Sequence, residues 1–337
     1  MSAVFCESYE ALSANGAVGK YQANALADSR FNTTAGRFGR GAQSDLAGLR
    51  TQQFTPRAEW FFTTAFRPQA LTSRSLIRFW DGGTQHVDIR MDGMGRLVAT
   101  RGDGAQIGSP SANALTVGVY YSLGVRCVID DASGIIEARI NGSSTGWLNM
   151  SSVDTRNGGN PTANNFDWCI GSAGGDLYYD DTLINDAVSS GTGDLVSFPG
   201  DVRVECLYPT GAGSSTDFTP STGSNWQNVD DPQTDGDSTY NESATVGHRD
   251  MFQMGNLVTG TGTVLGLQAC AIARKTDSNT RTIALSVRLG TTNYNSPAFS
   301  VSNTYSGFTY MWTLDPTNNQ WTIANVNAAE GGYTVIS

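Results

Sequence analysis

Two stretches of this chain have alternating apolar and polar residues and turn back on themselves. In the first, residues 86–91 alternate between polar and apolar side chains, and a glycine-containing turn at 92–95 leads into the apolar run 97–100. In the second, the alternating runs 123–129 and 135–140 are joined by five residues that include Asp and Gly. A period of two is typical of a strand with one buried face. Both stretches therefore predict antiparallel β-hairpins.

Further strand-like runs lie before and after these hairpins, at residues 58–66, 75–80, 166–171 and 177–186. They are rich in aromatic and aliphatic residues and show no helical period. The 39 glycines of the chain supply turns between them. Short strands joined by turns favour a mainly β, antiparallel sandwich. We expect this sandwich to occupy residues 1–200.

The remainder, residues 201–337, begins with one more predicted strand, in which Val202, Val204 and Cys206 alternate with charged residues. Residues 210–250 are then dominated by Gly, Ser, Thr, Asp and Asn, a composition that does not build its own core. This polar arm is either a linker or lies against another surface. Its isolated aromatics would be anchors on a partner protein, or would equally dock onto this chain. They are Phe218, Trp226 and Tyr240.

Alternation resumes at 264–273 and 282–288, which predicts a second sheet. Residues 312–322 resemble two strands around a turn. Thr322 is a suitable N-cap for a short helix over 323–330, which Gly331 and Gly332 would stop. We therefore expect residues 201–337 to form a smaller β-rich attachment domain that includes the polar arm and one short helix.

Charge and cysteine content narrow the class of protein. The net charge is −10 and no basic patch is evident, so a nucleic acid partner is not expected. Only 15% of residues are charged, which favours packing against neighbouring proteins.

The five cysteines are widely spaced, which favours free thiols. No apolar run approaches a membrane span and the N-terminus lacks a signal-like segment, so we expect a protein made in a cytoplasm.

Residues for catalysis are sparse. A glucanase built on such a sandwich needs an E-x-D-x-x-E strand that directs carboxylates into one cleft, and no such run exists. The two histidines, His86 and His248, are far apart and have no nearby cysteine or histidine. His86 begins a strand and is interpreted as a surface residue. We expect no enzymatic activity.

Two adjacent carboxylates, Asp180 and Asp181, are the weak candidates for a metal site. One of them would serve Ca²⁺ together with Asn185, but neighbouring strand residues point to opposite faces, so at most one reaches a given ion. The competing interpretation is structural, with a carboxylate bonding the amides of a neighbouring loop. The sequence requires no cofactor, and Ca²⁺ is the one candidate.

Four motifs occur in order along residues 1–200: Phe5 to Tyr9, Gly36 to Gly41, Ile140-Asn141-Gly142 and Leu177 to Asp186. This ordered set resembles a concanavalin A-like or laminin G-like jelly roll.

A second set of motifs extends to the end of the chain: Tyr179-Asp180-Asp181, Gly200 to Arg203 with Tyr208-Pro209, Asn225-Trp226, Asp230 to Pro232, Asp315-Pro316, Trp321-Thr322 and Val326 to Ala328. With this set, the whole chain resembles virion structural proteins of tailed bacteriophages that carry such a domain.

The resemblance implies a structural component attached to the capsid or the tail of a virion, as a decoration, cement or tail accessory protein. Its partners would be other virion proteins, with the chain present as a homo-oligomer or as lattice-bound copies. The alternative is a carbohydrate-binding, receptor-recognition protein of the tail or a secreted lectin-like module. Exposed tryptophans would then stack on a glycan, although core packing is the expected role of a tryptophan in a strand. The tryptophans concerned are Trp60, Trp80, Trp147 and Trp168.

Overall fold

The computed structural model describes residues 3–11, 20–24, 26–44, 46, 48–171, 177–188 and 195–337. This part of the chain folds into two compact units. Unit 1 holds residues 3–10, 21–188 and 195–204 with the gaps just given, and unit 2 holds residues 205–337 together with residues 11 and 20.

Unit 1 is built from fifteen strands among its described residues. They are β1 (Ala3–Glu7), β2 (Tyr21–Asn24), β3 (Phe31–Asn32), β4 (Gly41–Gln43), β5 (Leu49–Thr51), β6 (Glu59–Pro68), β7 (Arg74–Asp81), β8 (Thr84–Met91), β9 (Leu97–Arg101), β10 (Gln106–Ile107), β11 (Tyr121–Val128), β12 (Gly134–Ile140), β13 (Leu148–Val153), β14 (Asn165–Trp168) and β15 (Leu177–Asp186).

These strands form two antiparallel sheets. The first has the order β13-β12-β11-β6-β15-β4-β3, and β1 also pairs with β15. The second has the order β10-β9-β8-β7-β14-β5-β2. The predicted hairpins are confirmed as β8-β9 and β11-β12. Unit 1 is therefore an antiparallel jelly-roll sandwich, in agreement with the expected fold class.

The core of unit 1 is an aromatic layer between the sheets. Phe166 on β14 lies 5.0 Å from Trp60, 5.9 Å from Phe62 and 5.4 Å from Phe79, measured between ring centroids. Trp168, two residues further on the same face of β14, lies 5.4 Å from Phe62. All five side chains are buried. Alternation on β6, β7 and β14 sends these rings inward, and edge-to-face contacts add to the free energy of their burial.

Beyond β15, residues 195–204 cover part of the outer face of the first sheet. The Phe198 ring lies 5.2 Å from that of Phe61, and the Arg139 guanidinium lies 4.1 Å from its centroid. Gly124 on β11 leaves room for it, since a Cβ there would come within 3.0 Å of Phe198 Cδ1. Asn185 Nδ2 donates to the carbonyls of Leu195 and Ser197. Gly124 on β11 thus leaves the space that Phe198 of residues 195–204, here called the return segment, occupies.

The strand predicted at residues 202–206 is wrong. Residues 202–208 are extended but belong to no ladder. The Val204 N–H donates to Asp181 Oδ1 at 2.7 Å, and the Val202 carbonyl accepts from Arg37 at 3.1 Å. Side chains of unit 1 therefore bind the backbone groups that a neighbouring strand would otherwise bind.

Unit 2 is smaller, β-rich and contains one short helix. Its elements are β16 (Pro209–Thr216), β17 (Thr219–Pro220), β18 (Asn241–Glu242), β19 (Arg249–Met254), β20 (Leu267–Ala273), β21 (Arg281–Leu289), β22 (Thr292–Asn295), β23 (Phe299–Val301), β24 (Ser306–Trp312), α1 (Ile323–Ala328) and β25 (Glu330–Val335). The main sheet has the order β16-β19-β25-β21-β22, with β23 on β21, and β17-β18 and β20-β24 form two-stranded sheets. Among the described residues, no helix is long and apolar enough to cross a membrane.

Residues 210–250 pack on this chain, which is one of the alternatives that the sequence left open. This stretch includes β16, which pairs with β19, and β19 in turn pairs with β25. Phe218 also packs on this chain, with its ring centroid 5.0 Å from that of Tyr333. Composition does not choose between the alternatives because the partners lie outside the stretch or at its end, in β19 and in Tyr333 of β25.

The C-terminal prediction is confirmed in part. Thr322 caps α1 by accepting from the Asn325 N–H at 3.0 Å. The helix ends at Ala328, and Gly331 and Gly332 lie within β25 rather than acting as a stop. Asp315 Oδ1 accepts two backbone N–H groups and closes the expected turn, but residues 320–322 after it form no strand. Trp321 then enters the core of unit 2.

We expect Phe166→Ala to lower the free energy of unfolding of unit 1 by about 3–5 kcal/mol, because it removes a buried ring that four other aromatics contact. The measurement is chemical denaturation. Met94→Ala is the control, because Met94 is 60% exposed in the same unit and its truncation is expected to cost less than about 0.5 kcal/mol. Equal losses from both changes would contradict the core described here.

Candidate functional site

A row of four charged residues crosses the outer face of the second sheet. Arg50 on β5 is opposite Asp167 on β14, Asp167 is opposite Arg78 on β7, and Arg78 is opposite Asp88 on β8. The adjacent row points inward and is buried, with Leu49, Trp168, Ile77 and Ile89 in the same order of strands. Because side chains alternate across a sheet, the charged row lies on the solvent side. It alternates in sign from strand to strand.

Arg50 and Asp167 form a two-pronged ion pair. The Arg50 Nε donates to Asp167 Oδ1, and Nη2 donates to Oδ2 at 2.7 Å. The pairing raises the pKa of Arg50, because the carboxylate accepts from its charged form. The fork geometry holds both side chains in place, so the Arg50 guanidinium is a fixed planar group on this face.

Asp88 is shared between two arginines. Its Oδ2 accepts from Ser75 Oγ at 2.7 Å, Arg90 Nη1 at 2.9 Å and Arg78 Nε at 3.4 Å. Arg78 also donates to Ser75 Oγ at 2.8 Å. Burial raises the pKa of Asp88, and these donors oppose that shift. One carboxylate thus orders two guanidinium groups on neighbouring strands.

Trp80 lies beside the charged row, two residues beyond Arg78 on β7. It is half-buried, and the Arg50 guanidinium lies 4.2 Å from its ring centroid. Across the ladder it pairs with Asn165, whose Nδ2 donates to Gln22. We call this surface the arginine–aspartate face. It consists of Arg50, Arg78, Trp80, Asp88, Arg90, Asn165 and Asp167.

Three buried polar atoms of this face have no hydrogen-bond partner within the described part of the chain. They are Trp80 Nε1, Asp88 Oδ1 and Asn165 Oδ1. Asn165 is fully buried and Asp88 is 2% exposed. A buried polar atom without a partner costs about 1–3 kcal/mol, so such atoms need an explanation. Each of these atoms lacks solvent-accessible surface, so they mark incomplete pairing beneath the face rather than contacts offered to a ligand.

His86 is a buried residue, and its interpretation as a surface side chain is wrong. It is the extra residue at an irregularity of the β7-β8 pairing, where Phe79 pairs with Val87 but Trp80 pairs with Gln85. Its Nδ1 accepts from the Asn157 N–H at 3.1 Å, so its proton lies on Nε2. Burial lowers the pKa of His86.

Asp180 and Asp181 lie on β15, and both contact the glycine-rich loop 36–41. Asp180 Oδ2 accepts from the Arg37 N–H at 2.6 Å and the Phe38 N–H at 3.1 Å. Asp181 Oδ2 lies 3.2 Å from Arg37 Nε. Adjacent residues reach the same loop because Asp181 has φ 50° at a register shift of the ladder. Burial raises the pKa of both carboxyls, and the neighbouring Asp181 raises that of Asp180 further.

This arrangement does not fit Ca²⁺. Arg37 makes ion pairs with both Asp181 and Asp201 and so occupies the position a cation would need. Backbone N–H groups bond the carboxylates instead, as the structural interpretation requires. No group of three His, Cys, Asp or Glu side chains suited to a metal ion is found among the described residues.

The three aromatics proposed as partner contacts lie in unit 2. Phe218 packs on Tyr333, as described above. Trp226 is half-buried in a short 3₁₀ turn, Asn225–Asn228. Tyr240 is 39% exposed and has the most accessible ring of the three. A contact of Trp226 or Tyr240 with another protein stays a prediction.

Sequence reasoning did not identify the arginine–aspartate face, apart from naming Trp80 among the tryptophans available for a glycan. The signal it contained was the alternation of Arg78, Asp88 and Arg90 with buried aliphatic residues. That pattern assigns a side chain to the solvent side of its own strand. It does not reveal that Arg50 and Asp167, more than 100 residues apart, are cross-strand neighbours.

Solved structures with partial similarity to this chain include carbohydrate-binding proteins. Galectin LEC-6 of Caenorhabditis elegans is 13% identical, with 43% of this chain and 96% of that chain covered and a TM-score of 0.30. Domain 4 of AbnA, an extracellular arabinanase of Geobacillus stearothermophilus solved with arabinotriose, is 13% identical over 55% and 92%, with a TM-score of 0.36. The carbohydrate-binding module CBM66 of Bacillus subtilis is 8% identical over 55% and 97%, with a TM-score of 0.29. No family model matches the sequence, and no match was found among curated proteins.

We expect the buried His86 to make unit 1 less stable in acid. Since its folded-state pKa lies below the unfolded value near 6.5, its contribution is complete above about pH 6.5 and is lost as the pH falls. Replacing it by His86→Gln removes the titration and keeps an acceptor for the Asn157 N–H. Urea unfolding between about pH 7 and pH 5 should then show a smaller loss of stability than in the wild type. An unchanged pH dependence would contradict this.

Proposed function

We propose that this chain is a non-enzymatic recognition protein that binds carbohydrate on the arginine–aspartate face of unit 1. One observation carries the proposal: a half-buried tryptophan lies on the outer face of a sheet among fixed, planar polar side chains. Trp60 and Trp168, by contrast, are buried in the core. Among these three tryptophans, Trp80 alone therefore has surface available for a ligand.

The chemistry of the face suits a sugar. A pyranose ring has apolar C–H surfaces that pack on an aromatic ring and hydroxyl groups at its edge that need both donors and acceptors. Trp80 supplies the aromatic surface, and the partly exposed guanidinium groups of Arg50, Arg78 and Arg90 supply donors for the hydroxyl oxygens. Ion pairs hold Arg50, Arg78 and Arg90 before any ligand arrives. Little side-chain entropy would then be lost on binding.

We expect Trp80→Ala to weaken glycan binding by about tenfold or more, because the stacking surface is lost. The measurement is a glycan array, followed by titration of the strongest ligand found. Trp147→Ala is the matched control, since Trp147 is also half-buried in unit 1 but lies outside this face.

Two results would overturn the carbohydrate proposal. One is an array with no saturable binding to the wild type. The other is equal loss of affinity in the Trp80→Ala and Trp147→Ala proteins, which would point to a general effect on folding. Thermal unfolding of both variants distinguishes that second case from a local effect.

A second proposal concerns location: we propose that the protein is part of a tailed-bacteriophage virion, on the capsid or the tail, and is made in the host cytoplasm. The observation in its favour is that motifs behind the resemblance meet in one place. Asp180 and Asp181, Arg37 of the glycine-rich loop, and Asp201 with Val202 are joined by hydrogen bonds and ion pairs. Shared motifs with such a joint structural role support a common lineage. Attachment would use contacts with other virion proteins, with several copies on each particle.

Location is tested by antibody-gold labelling of purified particles under the electron microscope, with an antibody to the major capsid protein as the positive control. We expect label on the particle surface, over the head for a decoration protein or on the tail for a recognition protein. Particles that carry capsid label but none for this protein would overturn the virion proposal and leave carbohydrate binding untouched.

A further inference from the structure

We infer that the ligand of the arginine–aspartate face is an acidic sugar, whose anionic group is bound by Arg78 and Arg90 while its ring packs beside Trp80. This inference rests on the proposed carbohydrate binding and specifies the chemical class of the ligand. The inference is based on the net charge of the face, which is positive although the signs alternate along the row of four residues.

The face carries three arginines and two aspartates. Arg50 and Asp167 neutralise each other through both prongs of a fork. Arg78 and Arg90 share the single carboxylate of Asp88, and they share only its Oδ2 atom. One positive charge is therefore left over on neighbouring strands β7 and β8. This local positive charge contrasts with the net charge of the whole chain, which is −10.

The arginines keep donors for a ligand. Arg78 uses Nε and Nη2 within the face, and its Nη1 makes no hydrogen bond to any described residue. Arg90 uses Nη1 for Asp88 and Ser75, and its Nη2 makes one long bond of 3.4 Å to Ser73. Their side chains are 27% and 29% exposed. A guanidinium with unused N–H groups at an accessible face is suited to a carboxylate or a sulfate.

The spacing matches one sugar residue. Arg78 and Trp80 are two residues apart on β7 and point to the same side, which separates their Cα atoms by about 6.6–6.8 Å. A pyranose ring packed beside Trp80 would place a substituent at this distance, near Arg78. A neutral sugar would leave the excess charge without a counterpart, so the face should discriminate against it.

The test compares matched polysaccharides that differ in charge alone. The pairs are hyaluronate with its carboxyl-reduced form, and dextran sulfate with dextran, so that carboxylate and sulfate are assayed separately. Binding is measured by titration at about 0.05 M and 0.3 M NaCl, because screening should weaken only the charged interaction. We expect the wild type to bind the charged member of at least one pair about tenfold more tightly than the neutral member.

Three variants assign the preference to residues. Arg78→Gln and Arg90→Gln should each reduce affinity for the charged polymer by about tenfold and affinity for its neutral counterpart by a smaller factor, because the neutral polymer loses a donor but no ion pair. Arg126→Gln is the matched control. Arg126 lies on β11 of the first sheet, is 32% exposed and is paired with Glu59, so its loss tests for a non-specific effect of removing one surface charge. Thermal unfolding of all three variants checks the fold.

The possible outcomes distinguish failure of the acidic-sugar inference from failure of the proposed carbohydrate binding. A neutral glycan that binds as tightly as its charged counterpart and depends on Trp80 would overturn the acidic-sugar inference and keep carbohydrate binding. Equal loss in the Arg126→Gln protein would also overturn it, because the effect would then be one of overall charge. Absence of saturable binding to any glycan of the array would overturn both.

Discussion

The sandwich of unit 1 depends on β15, a buried strand that carries several polar side chains. β15 pairs with β6 along one edge and with β4 and β1 along the other. Each buried polar group on it therefore needs a partner. Asp180 binds two backbone N–H groups of the glycine-rich loop, Asp181 binds Val204 N–H, and Thr182 bonds Tyr9 and Thr64. A loop, a return segment and the core are fixed to one strand by this requirement.

The polar groups of β15 are bonded because they are buried. In the arginine–aspartate face, by contrast, the ion pairs keep charged side chains ordered on the outer side of a sheet. Isolated surface ion pairs contribute little to stability, in the range of about 0–1 kcal/mol. Their role here is positional. The ladder brings Arg50, Asp167, Arg78 and Asp88 opposite one another, and the pairs restrict the rotamers of long side chains. A surface whose side chains are already restricted to few rotamers loses less entropy on binding a ligand than a surface of flexible side chains would.

Local patterns predicted the parts of the fold whose partners are close in sequence. The β8-β9 and β11-β12 hairpins follow from alternation and from turn residues alone, and Thr322 marks the start of α1. The prediction failed where a distant group decides the outcome. Alternation at 202–206 gave no strand because Asp181 and Arg37 bind its backbone. For residues 210–250 composition left the alternatives open, and the pairing of β16 with β19 and of β19 with β25 decides between them.

In the candidate site, too, the sequence predicted what nearby residues determine and missed what distant residues determine. Asp180 and Asp181 were recognised from sequence, and a structural role was one of the two interpretations. The sequence could not show that a left-handed Asp181 turns both carboxylates toward one loop, since a strand was expected to separate them. His86 was misplaced because an irregularity of the ladder changes which residues face outward. The arginine–aspartate face depends on register between β5, β14 and β7, and register is a property of the assembled sheet.

Phe198 makes the two broad faces of the sandwich unequal. Where it rests on Gly124, the first sheet presents a segment of irregular chain to the solvent instead of a regular array of side chains. The second sheet presents its side chains directly. A long polymer could therefore lie across several strands on one side only, and the protein would hold it at a fixed angle to those strands. Under the proposed function, this difference between the faces would depend on a single glycine, Gly124, which lies in the other sheet from the arginine–aspartate face.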